Sequence, residues 1–128
     1  MQPIIDFILE AEKLKTVTRK TRPIGLERFE NPAEHSWQIA LLALSLAEYA
    51  EPGVDLNHVV AMLLIHDVGE IDTGDTIAFA EGGWPERKAD ELAAARRIFG
   101  LLPEAQAAQY LALWKEFEDG ATPEARFA

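Results

Sequence analysis

Ala33-Glu34-His35-Ser36-Trp37 and Ile65-His66-Asp67-Val68-Gly69-Glu70 set a lone histidine and a His-Asp pair into two long apolar runs. Both runs are helical in pattern. Asn31 suits the N-cap of the first, Pro32 its first helical position, and Glu34 falls three after the cap, as in a capping box. From Trp37 to Tyr49 this helix is apolar on almost every side, which predicts a central, buried element. Pro52 and Gly53 break it. A second buried helix is predicted from about 56 to 68, through Val59, Val60, Met62, Leu63, Leu64 and Ile65, with Gly69 ending it in the left-handed conformation of a C-terminal cap.

Working outward, the same helical periodicity recurs. Apolar residues at Ile4, Ile5, Ile8, Leu9, Ala11 and Leu14 mark a helix from 4 to about 17, followed by a polar, basic stretch to Glu30. Residues 70 to about 84 read as a loop with Gly74, Gly82 and Gly83. Pro85 opens a helix that Gly100 closes, and Pro103 opens another that Gly120 closes. Thr122-Pro123-Glu124 starts one more, with four residues after it. A helix that begins without length to propagate is marginal. This end is therefore expected to fray, and the chain to be trimmed within a helix. No strand-like alternation stands out. The fold class predicted is all-α, a compact bundle of five to six helices.

Composition narrows the function classes. A chain of 128 residues is one domain, 1–128, able to bury roughly two-thirds of its unfolded surface. No run has the apolar length of a membrane span. Met1 to Glu10 lacks the basic start and cleavage site of a secretory signal, so the expected location is cytoplasmic. The net charge of −10 disfavours nucleic acid and anionic membrane as partners. Six of the twelve basic residues, Lys13, Lys15, Arg19, Lys20, Arg22 and Arg28, nevertheless lie together. That patch reads first as a solvated helix end and loop, and is also compatible with a small anion such as a phosphate. With no cysteine, any metal must be held by His, Asp or Glu.

The candidate residues follow from cost. His35 continues the face of Ile39, Leu42 and Leu46, so it is predicted to point inward. It is either a metal ligand or a core histidine satisfied by one hydrogen bond. His66 and Asp67 close the other buried helix, where an aspartate is expensive unless paired, capped or metal-bound. Glu70, three residues on, is a candidate general base, or else an exposed loop carboxylate. Asp75 suits a helix cap or a contact with a ligand hydroxyl. The Asp72–Asp75 spacing does not match a calcium loop. His58 reads as a surface residue, and Trp37, Tyr110 and Trp114 as core.

Taken as an ordered set, these residues resemble the HD-domain metal-dependent phosphohydrolases. His66-Asp67-Val68-Gly69-Glu70 with Thr73-Gly74-Asp75 is similar to the 5′-deoxynucleotidase branch. So are Leu14-Lys15-Thr16-Val17-Thr18-Arg19, Trp114-Lys115-Glu116-Phe117-Glu118 and Thr122-Pro123-Glu124-Ala125. The resemblance implies that His35, His66 and Asp67 are three of four ligands to one divalent metal ion. It implies that Glu70 activates the attacking water, that Arg19 binds phosphate and that Asp75 lies near the sugar. Mn, Co, Fe, Ni, Zn and Mg all suit such a ligand set. The family's tryptophan after the arginine is replaced by Lys20. Its fourth ligand, an aspartate a few residues past Thr-Pro-Glu-Ala, falls beyond Ala128, so the domain is expected to be incomplete at its C-terminus.

The function expected is hydrolysis of (deoxy)nucleoside 5′-monophosphates, a small-molecule nucleoside monophosphate being the partner and a homodimer the expected assembly. A binding or regulatory module that keeps the fold without catalysis is the alternative. A helical scaffold with core histidines is a third.

Overall fold

The computed structural model describes residues 1–74 and 84–128. Five long α-helices make up the body: α1 (Gln2–Ala11), α2 (Pro32–Ser45), α3 (Leu56–Ile65), α5 (Trp84–Phe99) and α6 (Glu104–Asp119). Two short ones, α4 (Glu70–Thr73) and α7 (Pro123–Phe127), and two 3-10 turns, Glu12–Thr16 and Ala47–Tyr49, complete it. Among the described residues there is no strand. The all-α bundle expected from the periodicity is what forms.

α3 is the central element, packing against α2, α6 and α7. Val59 and Met62 are fully enclosed. One core gathers Phe7, Leu14, Ile65, Val68, Ile98, Phe99, Leu113 and Trp114 from α1, α3, α5, α6 and the adjoining turns. Phe7, Phe99 and Tyr110 meet there edge-on or tilted, with centroids 5.8–6.2 Å apart. A second core joins Ala40 and Ala43 of α2 to Val59 and Leu63 of α3, with Phe117 and Phe127 against it.

Four local expectations change. α2 is not buried all round: it buries Ser36, Ala40 and Ala43, the two alanines against α3, while Trp37, Leu41, Leu42 and Leu44 stay exposed. Small residues allow the closest helix approach, so an element apolar on every side buries its narrow face. Trp37, expected in the core, is 63% exposed. α3 ends at Ile65, and Gly69 is right-handed (φ −60°), leading into α4 rather than capping α3 in the left-handed region. A side chain at Gly69 would meet the Glu91 carbonyl at 3.6 Å, so this turn lies directly on α5. The last segment, expected to fray, is helical: Thr122 Oγ1 caps it by accepting from Ala125 N, and Ala125 is buried.

The ends of the site-bearing segments are pinned. The capping box at α2 is complete, with Asn31 Oδ1 accepting from Glu34 N (2.9 Å) and Glu34 Oε1 accepting from Asn31 N (2.8 Å). Arg97 on α5 reaches Asp72 of α4 through two bonds of 2.8 Å and Glu10 of α1 through a third. α4 begins at Glu70, so this clamp also fixes the candidate base.

Candidate metal centre

Three segments bring the predicted residues together. His35 stands one turn into α2, below the capping box. His66 and Asp67 lie in the turn that leaves α3. Arg19 comes from the loop between α1 and α2. One potential ligand atom each from His35, His66 and Asp67 lie within 4.8 Å of one another, all partly buried. Bonds of about 2.0–2.2 Å to a divalent ion put ligand atoms roughly 3–4 Å apart. Two imidazoles with a carboxylate are chemically suited to such an ion.

Each ligand candidate is oriented. His66 Nδ1 bonds the Leu63 carbonyl of its own helix. That leaves Nε2 directed at Asp67 Oδ2, 3.1 Å away. The His66 ring also stacks at a tilt on Phe117, with centroids 4.8 Å apart. Burial pulls the His66 imidazole down, yet Asp67, the Leu63 carbonyl and Glu70 together raise it above its ordinary value. Asp67 runs the other way: burial raises it, but His66, Arg19 and His35 hold it lower overall. His35 is lowered, first by burial and then by the Arg19 charge. The His35 side chain is partly buried and turned toward His66 and Asp67, as expected, while Leu42 and Leu46, further along its predicted face, are exposed.

Glu70 is 5% exposed, not a loop carboxylate in water. With His66, Asp67, Thr73, Glu91, Trp114 and Glu118 it lines a cavity of about 30 Å³, room for a water molecule or two. Arg19 places Nη1 3.6 Å from Asp67 Oδ2 and Nε 3.1 Å from Glu30 Oε1, the latter close but not aligned as a hydrogen bond. Asp75 lies outside the described residues. Asp72, paired with Arg97, is turned to structure. His58 is half-exposed and bonds Glu116 (2.7 Å).

The sequence reading missed three carboxylates. Glu30 faces both Arg19 and His35. Glu91 and Glu118 approach the Glu70 cavity from α5 and α6, and Lys88 donates to Glu118 (2.7 Å). Burial, and then the Glu118 charge, raise Glu91. Each falls on a polar stretch that reads as solvated, and only the packing of distant segments brings it inside.

A family model described as the HD domain matches residues 11–128. The chain belongs to the HD domain family. Curated relatives of this HD protein are the 5′-deoxynucleotidase HDDC2 of Homo sapiens, 26% identical over 125 residues, and that of Dictyostelium discoideum, 28% identical over 131. The human match takes in 97% of this chain and 60% of the relative; the Dictyostelium match, 98% and 69%. Among solved structures, one named as a predicted metal-dependent phosphohydrolase from Magnetospirillum magnetotacticum MS-1 is similar with a TM-score of 0.90 and 47% identity. That match covers 98% of this chain and 64% of the other. A conserved hypothetical protein from Pyrococcus furiosus follows at TM-score 0.68 and 27% identity, with 96% and 73% covered. This HD chain thus spans about 60% of the length of the human relative. No described helix is long and apolar enough to cross a membrane.

Proposed function

We propose that this HD protein is a metal-dependent phosphomonoester hydrolase acting on (deoxy)nucleoside 5′-monophosphates. The observation that carries the reading is the convergence of His35, His66 and Asp67 within 4.8 Å beside a buried carboxylate and an arginine. His35, His66 and Asp67 would hold one divalent ion, which when bound would supply Lewis-acid polarisation of the phosphoryl group. Glu70 would take the proton of the attacking water as the new O–P bond forms; the bond to the 5′ oxygen breaks, and that oxygen takes up a proton from water to leave as the nucleoside hydroxyl. Glu70 is buried beside a small cavity with room for that water. Arg19 neutralises phosphate charge at the mouth of the site, where its guanidinium already faces Asp67. Asp75, by its match to the family's motif, is assigned a role near the sugar. The similarity to 5′-deoxynucleotidases favours the nucleotide substrate class.

The test is phosphate release from a panel of ribo- and deoxyribonucleoside 5′-monophosphates by protein loaded with Mn, Co or Zn. Turnover that requires metal and is abolished in His66→Ala, together with loss of bound metal by elemental analysis, is expected. Metal content unchanged in His66→Ala would overturn the site. Metal bound by the wild type without turnover of any monophosphate would overturn the activity.

A further inference from the structure

Glu30 stands immediately before the α2 cap and makes connections to both halves of the site. Its backbone closes a loop: Arg19 N donates to Glu30 O (2.8 Å) and Glu30 N donates to Thr21 O (2.7 Å). Between these pairs the chain turns at Pro23–Leu26, with Leu26 N bonded to Pro23 O and Gly25 at φ +81°. A positive φ there suits glycine, the residue such a turn demands at its third position. Arg22 lies over the Phe29 ring, 5.3 Å from its centroid, and steadies the two arms against each other.

The side chain matters more. Its Oε1 lies 3.3 Å from His35 Nδ1 and 3.1 Å from Arg19 Nε, and it is only 12% exposed. One carboxylate oxygen thus faces a candidate ligand and a candidate phosphate-binding group at once. A metal-binding histidine offers one ring nitrogen, and the partner of the other nitrogen fixes its tautomer, ring angle and basicity. His66 has such a partner in the Leu63 carbonyl. The residue placed to do this for His35 is Glu30.

We propose that Glu30 is a positioning residue that holds His35 with its proton on Nδ1, so that Nε2 is presented to the ion, and that tethers Arg19 at the mouth of the same site. The inference rests on the reading of His35 as a ligand. Arg19 has two acidic neighbours, Glu30 and Asp67. Holding Nε at Glu30 limits how closely the guanidinium closes on Asp67, and so keeps that carboxylate available as a ligand.

The experiment compares Glu30→Met with Glu30→Gln in the full chain. The two side chains are close in size, and only glutamine keeps an oxygen that can accept from Nδ1. Glu30→Ala replaces the methionine variant if that one does not fold by circular dichroism. Two quantities are read: Mn²⁺ affinity by titration with the metal alone, and the His35 tautomer in metal-free protein from imidazole ¹⁵N shifts at alkaline pH. The methionine variant is expected to bind Mn²⁺ about 10- to 100-fold more weakly, with the His35 proton moved to Nε2. The glutamine variant is expected to recover most of the affinity and to keep the proton on Nδ1. Wild-type affinity and an unchanged tautomer in folded Glu30→Met would overturn the proposal. So would equal losses in both variants with the tautomer unchanged. His35→Ala separates this from the underlying reading. If that variant binds Mn²⁺ normally, His35 is no ligand; if it loses the metal while Glu30→Met does not, only the role of Glu30 fails.

Discussion

Arg19 and Asp67, forty-eight positions apart in sequence, face each other with Nη1 3.6 Å from Oδ2, both side chains less than a fifth exposed. A cation from the loop after α1 and an anion from the end of α3 therefore share the site. The separation is too long for a tight hydrogen bond, so the guanidinium is held near the carboxylate without consuming it. An incoming phosphate group can take up the arginine while Asp67 keeps its place among the ligand candidates.

Arg19→Ala should therefore impair substrate binding more than folding. A hydrogen-bonded charge of this kind is worth about 1.5–3 kcal/mol, which raises KM for a nucleoside monophosphate by roughly ten- to a hundredfold. Metal affinity should hold or rise, since Asp67 loses a competing partner. Steady-state kinetics with a thermal melt check this. A fall in melting temperature that accounts for the lost activity would mark Arg19 as structural.

Glu70→Gln should leave metal affinity nearly intact and slow phosphate release by about 10²- to 10⁴-fold, the usual range for a lost general base. The amide fits the same buried volume, so the α4 turn and its Arg97 clamp should survive. Single-turnover measurements on metal-saturated protein isolate the chemical step. A near-normal rate would remove Glu70 from the mechanism.

The ligand candidates were legible in sequence because two are adjacent and the third begins a helix with a strong start signal. A buried Asp67 or His66 is costly without a function, and cost can be read from an apolar context. Direction could not be read in α2. Trp37, Leu41, Leu42 and Leu44 leave the helix apolar on most sides, so the pattern names no inward face. The choice falls to Ala40 and Ala43, whose small size lets α3 approach. Gly69 misleads because a glycine after a helix reads as a stop, whereas the chain continues into α4 against α5. Glu30 and Glu91 sit in polar stretches, and their burial depends on which distant segment covers them.

Asn31→Ala tests how far the α2 start supports the site. It removes the bond accepted from Glu34 N and leaves Glu34 held mainly by Arg28, whose guanidinium bonds both its oxygens at 2.7 and 2.9 Å. Loss of such a cap costs about 1 kcal/mol, which lowers the melting temperature of a domain this size by roughly 3–6 °C. His35 lies in the turn that frays, so Mn²⁺ affinity should fall as well. A lower melting temperature with wild-type affinity would show that His35 is positioned independently of the cap.

Metal affinity should rise with pH through the neutral range, and the signs of the shifts say why. In the metal-free protein His66 is raised above 6.5, because Asp67, the Leu63 carbonyl and Glu70 outweigh the burial that pulls it down. A raised imidazole contributes stability that is present below 6.5 and is lost as pH climbs through the folded value. His35 is lowered from 6.5 by burial and by Arg19, so its contribution is present above 6.5 and is lost as pH falls through its folded value. Asp67, held below 3.8 overall, stays ionised throughout this range. The two histidines oppose each other near neutrality, so their effects on the metal-free fold partly cancel there. Metal binding does not cancel in this way. His35 already offers a neutral ring, while His66 must give up its proton before Nε2 can bind. Affinity should increase about tenfold per pH unit until the folded value of His66 is passed, and then level off. Calorimetric titration of Mn²⁺ in two buffers of different ionisation enthalpy measures this directly. Proton release on metal binding that is largest on the acid side of neutrality and falls toward none at alkaline pH is expected. Affinity independent of pH, with no proton released, would show that His66 is neutral before the metal arrives and that its ion pair with Asp67 does not form.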